Sequence, residues 1–216
     1  YHRQIAELVK GLSIINELSL RILDAFRVFG ELMSSNVIYH AMVNDGIDVE
    51  LIDSRDIIKT NNDFSRAYPN FEISQSNADK MVKPLLKKNK IVLAQGFMGS
   101  TEDGISTTMG RESSDFSAAI YGSLVDADEI QIWTDVDGVL TCDPRKVKQA
   151  FTIPQLSYAE AMEMSHFGAK VIYPPTIQPA LRKGIPIYIK NTFNPAFVGT
   201  RIHKEHDPTF KSTIKG

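Results

Sequence analysis

The sequence predicts an α/β protein, a three-layer α/β/α sandwich around a mostly parallel sheet. Three observations carry that expectation. Apolar runs of strand length alternate along the chain with stretches of helical periodicity, the pattern of strand–helix–strand units. Lys90-Ile-Val-Leu-Ala-Gln95 is apolar without a break, as expected of a strand covered on both faces of a parallel sheet. The strand-like run through Ile130, Ile132 and Trp133 stops at Thr134-Asp135, and Gly138, Pro144 and Arg145 follow closely. Strand ends that break into such loops are where open α/β sheets hold their ligands. A hairpin turn on Asp137-Gly138 is the competing reading, but a turn alone needs no threonine, acids and arginine packed together.

Taken in order, residues 3–24 place Ile5, Leu8, Val9, Leu12 and Ile15 at helical spacing, with Gly11 a weak point. A second helix is expected over about 23–44, stopping near Gly46, a residue that favours helix C-termini. Residues 49–52 read as a short strand and Ile57-Ile58 as an edge fragment. Residues 61–74 are polar, contain Pro69 and lack periodicity, so they read as a loop. Residues 76–88 are expected to be helical, with Pro84 kinking the helix or sitting near its start. Ser113 or Ser114 can cap a helix reaching Ala127, and residues 129–134 supply the next strand. Ser157-Tyr-Ala-Glu160 is a capping box that opens a helix to about His166. Pro174-Pro175-Thr176 opens another, closed by Arg182, Lys183 and Gly184. Residues 186–189 read as a last buried strand and residues 199–202 as a short edge strand. The tail beyond residue 203 is polar, and no internal repeat is visible.

Composition narrows the functional class. A chain of 216 residues can bury a substantial core. A net charge of −2 gives no general attraction to nucleic acid or an anionic membrane. No apolar run approaches the roughly 20 residues that span a bilayer, and Tyr1-His2-Arg3-Gln4 lacks a signal-peptide profile, so a cytoplasmic protein is expected. Cys142 is the single cysteine; it stands beside Asp143, away from any histidine, and reads as a packed or spectator thiol. The five histidines show no metal-ligand spacing, and His203 and His206 read as solvated.

Four clusters fall at predicted strand-to-helix junctions: Gly96–Ser100 with Thr107-Thr108, Gly110-Arg111 through Asp115, the segment from Thr134 to Arg145, and Phe167-Gly-Ala-Lys170. Glycine lets backbone N–H groups approach an anion, and the helix starting near Ser114 adds its positive end. Arg111 suits bidentate binding of carboxylate or phosphate. Lys170, just past a glycine, suits a point-charge contact to phosphate. Each has an ordinary alternative, a surface arginine, a solvated lysine or a capping aspartate. The set together is more specific.

These clusters resemble aspartate kinases of the amino-acid kinase family. The match is carried by Gly96-Phe-Met-Gly-Ser100, Thr108-Met-Gly-Arg-Glu-Ser-Ser-Asp115, Trp133-Thr-Asp-Val-Asp-Gly-Val-Leu-Thr-Cys-Asp-Pro-Arg145 and Phe167-Gly-Ala-Lys-Val171. Gly30-Glu31 with Ser34-Ser35, and Lys190-Asn-Thr-Phe-Asn-Pro195 with Gly199-Thr200, support it. The wording around Thr141-Cys-Asp-Pro and Lys190-Asn-Thr is similar to the kinase half of bifunctional aspartokinase–homoserine dehydrogenases.

The resemblance implies transfer of the γ-phosphoryl group of ATP, with Mg2+, to the side-chain carboxylate of L-aspartate, the first step toward lysine, threonine and methionine. It implies that Arg111 clamps the α-carboxylate and Glu31 accepts the α-ammonium, with Asp115 organising the charged groups. It assigns Gly96, Gly99, Thr134, Asp135, Leu140, Arg145 and Lys170 to the nucleotide, Lys170 and Asp115 being the catalytic pair. It also implies a domain over residues 1–203, with a substrate half to about residue 115 and a nucleotide half over 116–203, in a homo-oligomer.

Three positions depart from the family pattern. Leu140 stands where tyrosine is usual, Ser113 where glycine is common, and the opening strand with its Lys-Phe-Gly-Gly-Ser/Thr loop has no counterpart, from which the 216 residues alone are expected to be inactive. A non-catalytic binding or assembly module of the same fold, or a related amino-acid kinase, are the competing readings. Glu31 with Arg111 argues for a free α-amino acid over an N-acetylated one.

Overall fold

A computed structural model describes residues 1–15, 17–110, 113–167, 172 and 174–204. The chain forms two compact units, Tyr1–Ser113 and Ser114–Gly216.

The first unit opens with two helices, α1 (His2–Ile15) and α2 (Leu20–Asn44). The periodicity through residue 24 is interrupted because Ser19 starts a new helix, its hydroxyl accepting from Ile22 N at 3.3 Å. Asp24, Val28, Leu32 and Ser35 form the buried stripe of α2, at the spacing of one helical face. Gly46, at φ +77°, turns the chain out of the helix and into β1 (Val49–Ile52). Ile57 and Ile58, expected as a strand fragment, instead close the single turn α3 (Ser54–Ile57). Asp53 caps that turn by accepting from Arg55 N at 2.9 Å, a local bond that overrides the β-branched pair.

The stretch expected as loop through residue 74 ends earlier, because Asn70 caps α4 (Phe71–Met81) by accepting from Ile73 N. Pro84 separates α4 from α5 (Lys83–Leu86), where it sits in the first turn. The strand β2 (Ile91–Ala94) runs parallel to β1, from Val49↔Ile91 to Ile52↔Ala94. Its burial differs from the expectation: Ile91 is 49% exposed and the rest half-buried, because β1 is its one strand neighbour among the described residues. The hairpin of β3 (Met98–Ser100) and β4 (Ser106–Thr108) was not visible in sequence, since two three-residue strands with Met98 as their one large apolar side chain carry no apolar alternation.

The second unit contains α6 (Ser113–Val125, entered at the boundary), β5 (Ile130–Thr134), β6 (Gln155–Ser157), α7 (Tyr158–His166), α8 (Pro174–Lys183), β7 (Ile187–Asn191) and β8 (Thr200–His203). Its sheet has the order β5-β7-β8-β6, with β5 parallel to β7, β6 parallel to β8, and β7 antiparallel to β8. The segment expected at the edge, β8, is therefore an inner strand. The short β6, unmarked in sequence, takes the edge. Ile130, Ile132, Ile153, Leu156, Ile177, Ile187, Ile189 and Ile202 form the core, each worth about 1.5–3 kcal/mol when fully buried.

The capping box at Ser157 is present in full: the hydroxyl accepts from Glu160 N at 3.2 Å and Glu160 Oε2 accepts from Ser157 N at 2.7 Å. The Tyr158 hydroxyl donates to Ile185 O at 2.6 Å, tying α7 to the segment before β7, and burial raises its pKa above that of a free phenol. Parallel pairs dominate, as expected of the α/β class. Among the described residues the strands fall into three sheets rather than one.

Candidate active site

In each unit the chemistry-bearing loops follow the C-terminal ends of parallel strands. After β2 the chain reaches Gln95, a buried amide that ties three elements together. Its Oε1 accepts from Ser54 N at 2.9 Å, its carbonyl accepts from Ser54 Oγ at 2.6 Å, and its Nε2 donates to Ser35 Oγ at 2.9 Å. The Gly96 carbonyl then accepts from Met98 N at 2.8 Å, closing a tight turn with Phe97 at φ +69°. A Cβ at Gly99 would lie 2.6 Å from Ile58 O, so close packing already accounts for glycine there.

Glu31 is half-buried on α2, seven residues after Asp24 and thus on the same helical face. Asp24 itself was not singled out in sequence. Its side chain is fully buried, and its carboxylate accepts from Ser65 N (2.7 Å), Ser65 Oγ (2.9 Å), Thr108 N (2.9 Å) and Thr108 Oγ1 (2.7 Å). Arg27 Nη1 stands 3.7 Å away and donates to Ser65 Oγ at 3.0 Å. The available signal was an acid in the apolar run Ile22-Leu-Asp-Ala-Phe26, at the spacing of the buried stripe. Nearby, Asp53 grips Arg55 through both oxygens (2.6–3.1 Å), and Arg55 Nη1 reaches Ser106 Oγ at 3.2 Å. Burial of Asp53 works against its charge, but the Arg55 hydrogen bonds outweigh it and hold the carboxyl below its usual range.

Open clefts of about 390 and 620 Å³ in this unit share Arg21 and Ile105, and neither is lined by Glu31, Gly96 or Gly99. Arg111 lies outside the described residues.

In the second unit, Asp115 is half-buried in the first turn of α6, where its charge complements the helix N-terminus. Because β5 and β7 are parallel, Thr134 and Asn191 end side by side at one edge of the sheet. Thr134 Oγ1 donates to the exposed Asp135 at 3.2 Å, and the Thr134 carbonyl accepts from Thr192 N. Asp137 Oδ1 accepts from Asn191 Nδ2 at 2.9 Å and Asn194 Nδ2 at 3.1 Å, which links the two loops of that edge. Gly138 is buried at φ +102°. Leu140, half-buried, forms an antiparallel bridge with Thr152, so residues 139–153 fold back as a hairpin-like loop. The reversal lies between residues 141 and 151 and not at Asp137-Gly138, so the hairpin expected on that pair does not form.

Arg145 is highly exposed and already engaged: its Nε and Nη2 each lie 3.0 Å from Asp143, which holds that carboxyl below its usual range. Binding a phosphate would require Arg145 to exchange that partner. Lys170 lies outside the described residues, as does His206. His203, expected to be solvated, is half-buried with its Nε2 3.0 Å from Gln155 Oε1. Cys142 is half-buried, its sulfur 3.9 Å from Thr141 Oγ1. Among the described residues no group of three or more His, Cys, Asp or Glu side chains could hold a metal, and no helix is long and apolar enough to cross a membrane.

Loops carrying glycine and acid at the ends of parallel strands are where α/β proteins hold their ligands. The chain belongs to the amino acid kinase family, whose model matches residues 3–191. It is 42% identical over 192 residues to the chloroplastic bifunctional aspartokinase/homoserine dehydrogenase 2 of Arabidopsis thaliana, covering 87% of this chain and 21% of that protein. It is 34% identical to lysine-sensitive aspartokinase 3 of Escherichia coli (strain K12), covering 97% of this chain and 48% of that protein. The crystal structure of E. coli aspartokinase III in complex with aspartate and ADP matches 96% of this chain and 47% of that one, with a TM-score of 0.86 and 32% identity. A UMP kinase from Bacillus anthracis, at 18% identity and TM-score 0.53, shares the fold alone. The chain thus spans from about a fifth to about half the length of these aspartokinase relatives.

Proposed function

We propose that this chain contributes the kinase part of an aspartate kinase, which transfers the γ-phosphoryl group of ATP to the side-chain carboxylate of L-aspartate and yields 4-phospho-L-aspartate. The observation that carries the reading is the likeness to the E. coli aspartokinase III structure holding aspartate and ADP, over 96% of this chain. The higher identity to bifunctional enzymes, 42% against 34%, supports a bifunctional parent.

The chemistry suits the residues. A carboxylate with a reference pKa near ~4 is ionised at neutral pH and needs no general base. What remains is positioning and cancelling charge on the transferring group. In this reading Glu31 takes the α-ammonium and Arg111 the α-carboxylate. Thr134, Asp135, Leu140 and Arg145 hold the nucleotide, together with the Gly96–Gly99 turn. Lys170 meets the phosphates, and Asp115 orders the charges around them.

Mg2+ belongs to the same reading. It keeps several waters and takes one or two carboxylates besides substrate phosphates. In this reading Asp115, in the first turn of α6, and the exposed Asp135 would offer such carboxylates. Bound with the nucleotide, it would neutralise charge on the transferring group. Exposed Val37, Ile38 and Val43 on α2 support a homo-oligomer, and a lone thiol fits a reducing cytoplasm.

Isothermal titration of the intact protein with L-aspartate, L-glutamate, N-acetyl-L-glutamate and uridylate tests the substrate. Selective heat of binding with L-aspartate is expected. Preference for any of the other three would replace this reading with that of a related kinase.

A further inference from the structure

We infer that Asp24 is a positioning residue for the amino-acid substrate: it locks the helix carrying Glu31 to the strand that leads into Arg111. The inference rests on the proposed roles of Glu31 and Arg111 and adds a residue that touches neither ligand.

The geometry is specific. Asp24 sits on α2, two helical turns before Glu31, with its carboxylate removed from solvent. A buried carboxylate is costly unless its lone pairs are satisfied. Here each oxygen accepts from two elements: Oδ2 from the backbone N–H groups of Ser65 and Thr108, Oδ1 from their hydroxyls. Thr108 ends β4, two residues before Gly110 at φ +98° and three before Arg111. The rest of the Thr108 backbone is also fixed, since its carbonyl accepts from Ala67 N at 3.0 Å. Met109 N donates to Phe97 O at 3.0 Å. Ser65, the other partner, holds a left-handed φ of +67° that a serine seldom adopts without compensation, and Asp24 supplies two bonds to it.

An interior held this tightly serves stability in any case. Its placement adds something a general strut would not. One of the elements it joins carries Glu31 and the other stops three positions before Arg111 in the chain, the two groups proposed for the ends of the α-amino acid. A small loss of register between them would lower affinity for aspartate first; the Gly96–Gly99 turn, tied to this strand through Met98 and Phe97, would follow to a smaller extent. Substrate-positioning errors of this size cost large factors in binding and rate.

The test is steady-state kinetics on the intact protein, separating aspartate from ATP. In Asp24→Asn the charge is lost, and the amide oxygen keeps both backbone N–H contacts only if the NH2 group faces the Ser65 and Thr108 hydroxyls, which must then accept where they had donated. The aspartate KM should rise about ten-fold or more, with a clearly smaller rise in the ATP KM. Thr108→Val removes one hydroxyl at constant shape and should show the same selectivity at smaller size. Thr108→Ser, which restores the hydroxyl, should recover the parent aspartate KM. If Asp24→Asn does not fold, the threonine pair decides alone. Equal rises in both KM values, or folded variants with an unchanged aspartate KM, overturn the inference. Arg111→Lys run in parallel separates the two levels. An unchanged aspartate KM there removes the substrate reading and this inference with it. A raised one, beside a silent Asp24→Asn, removes this inference only.

Discussion

Gly138 packs against Thr200 with no space for a side chain: a Cβ there would lie 2.6 Å from Thr200 Oγ1 and 2.9 Å from its backbone nitrogen. The same hydroxyl accepts from Val139 N at 2.8 Å and donates to Ile153 O at 2.6 Å, so it joins the loop after β5, the start of β8 and the strand-like segment before β6. The Asp-Gly pair that reads as a turn signal in sequence is thus also a packing requirement set by a residue 62 positions away, at the edge where the nucleotide loop is proposed.

Gly138→Ala should therefore be destabilising on two counts, the positive φ and the collision with a buried hydroxyl that cannot move without losing its bonds. A loss of about 1–3 kcal/mol is expected from overpacking of this kind. Urea unfolding measures it directly, and a variant with the parent midpoint would show that the loop accommodates a methyl group.

A pH effect follows from Asp53. Its folded pKa lies below the ordinary aspartate value of 3.8 because Arg55 outweighs the cost of burial. A depressed carboxyl pKa stabilises the fold above the unfolded pKa and loses that contribution as pH falls through the folded one. The stability gap between the parent and Asp53→Asn should be constant from about pH 5 to 7 and shrink below about pH 4. A gap that persists unchanged to about pH 3 would mean that Asp53 acts through its cap alone.

Arg111 is the sharpest test of the substrate reading. Lysine keeps the charge but loses the planar fork, so Arg111→Lys should weaken aspartate by about 1.5–3 kcal/mol, the range for hydrogen bonds to charged groups. The aspartate KM of the intact enzyme reports it. Parity with the parent excludes Arg111 from the site.

Leu140 tests the nucleotide reading. Tyrosine is usual here in the resembled family, and an added aromatic contact to adenine is commonly of order ~1 kcal/mol. Leu140→Tyr should accordingly tighten ATP several-fold in equilibrium titration. If affinity stays level or falls, adenine does not pack against this position.

Features visible in the sequence were those encoded within a few residues. The Ser157–Glu160 capping box spans four positions and formed as read. The periodic helices α2, α7 and α8, and the apolar strands β2, β5 and β7, appear close to where their patterns place them. The motif loops after β2 and β5 were legible for the same reason, as the continuous strings Gly96–Ser100 and Thr134–Arg145. Tertiary structure decided the rest. It moved β8 from the edge to the interior, because strand order depends on which distant segment pairs with it. It made β3 and β4 a hairpin that no apolar alternation announces. It also assigned Asp24 its role, since a buried carboxylate is tolerable only where donors 41 and 84 residues away converge on it. Local hydrogen bonds and periodicity are written in neighbouring letters, whereas compensation of a buried charge and the order of strands are properties of residues that meet only after the chain has folded.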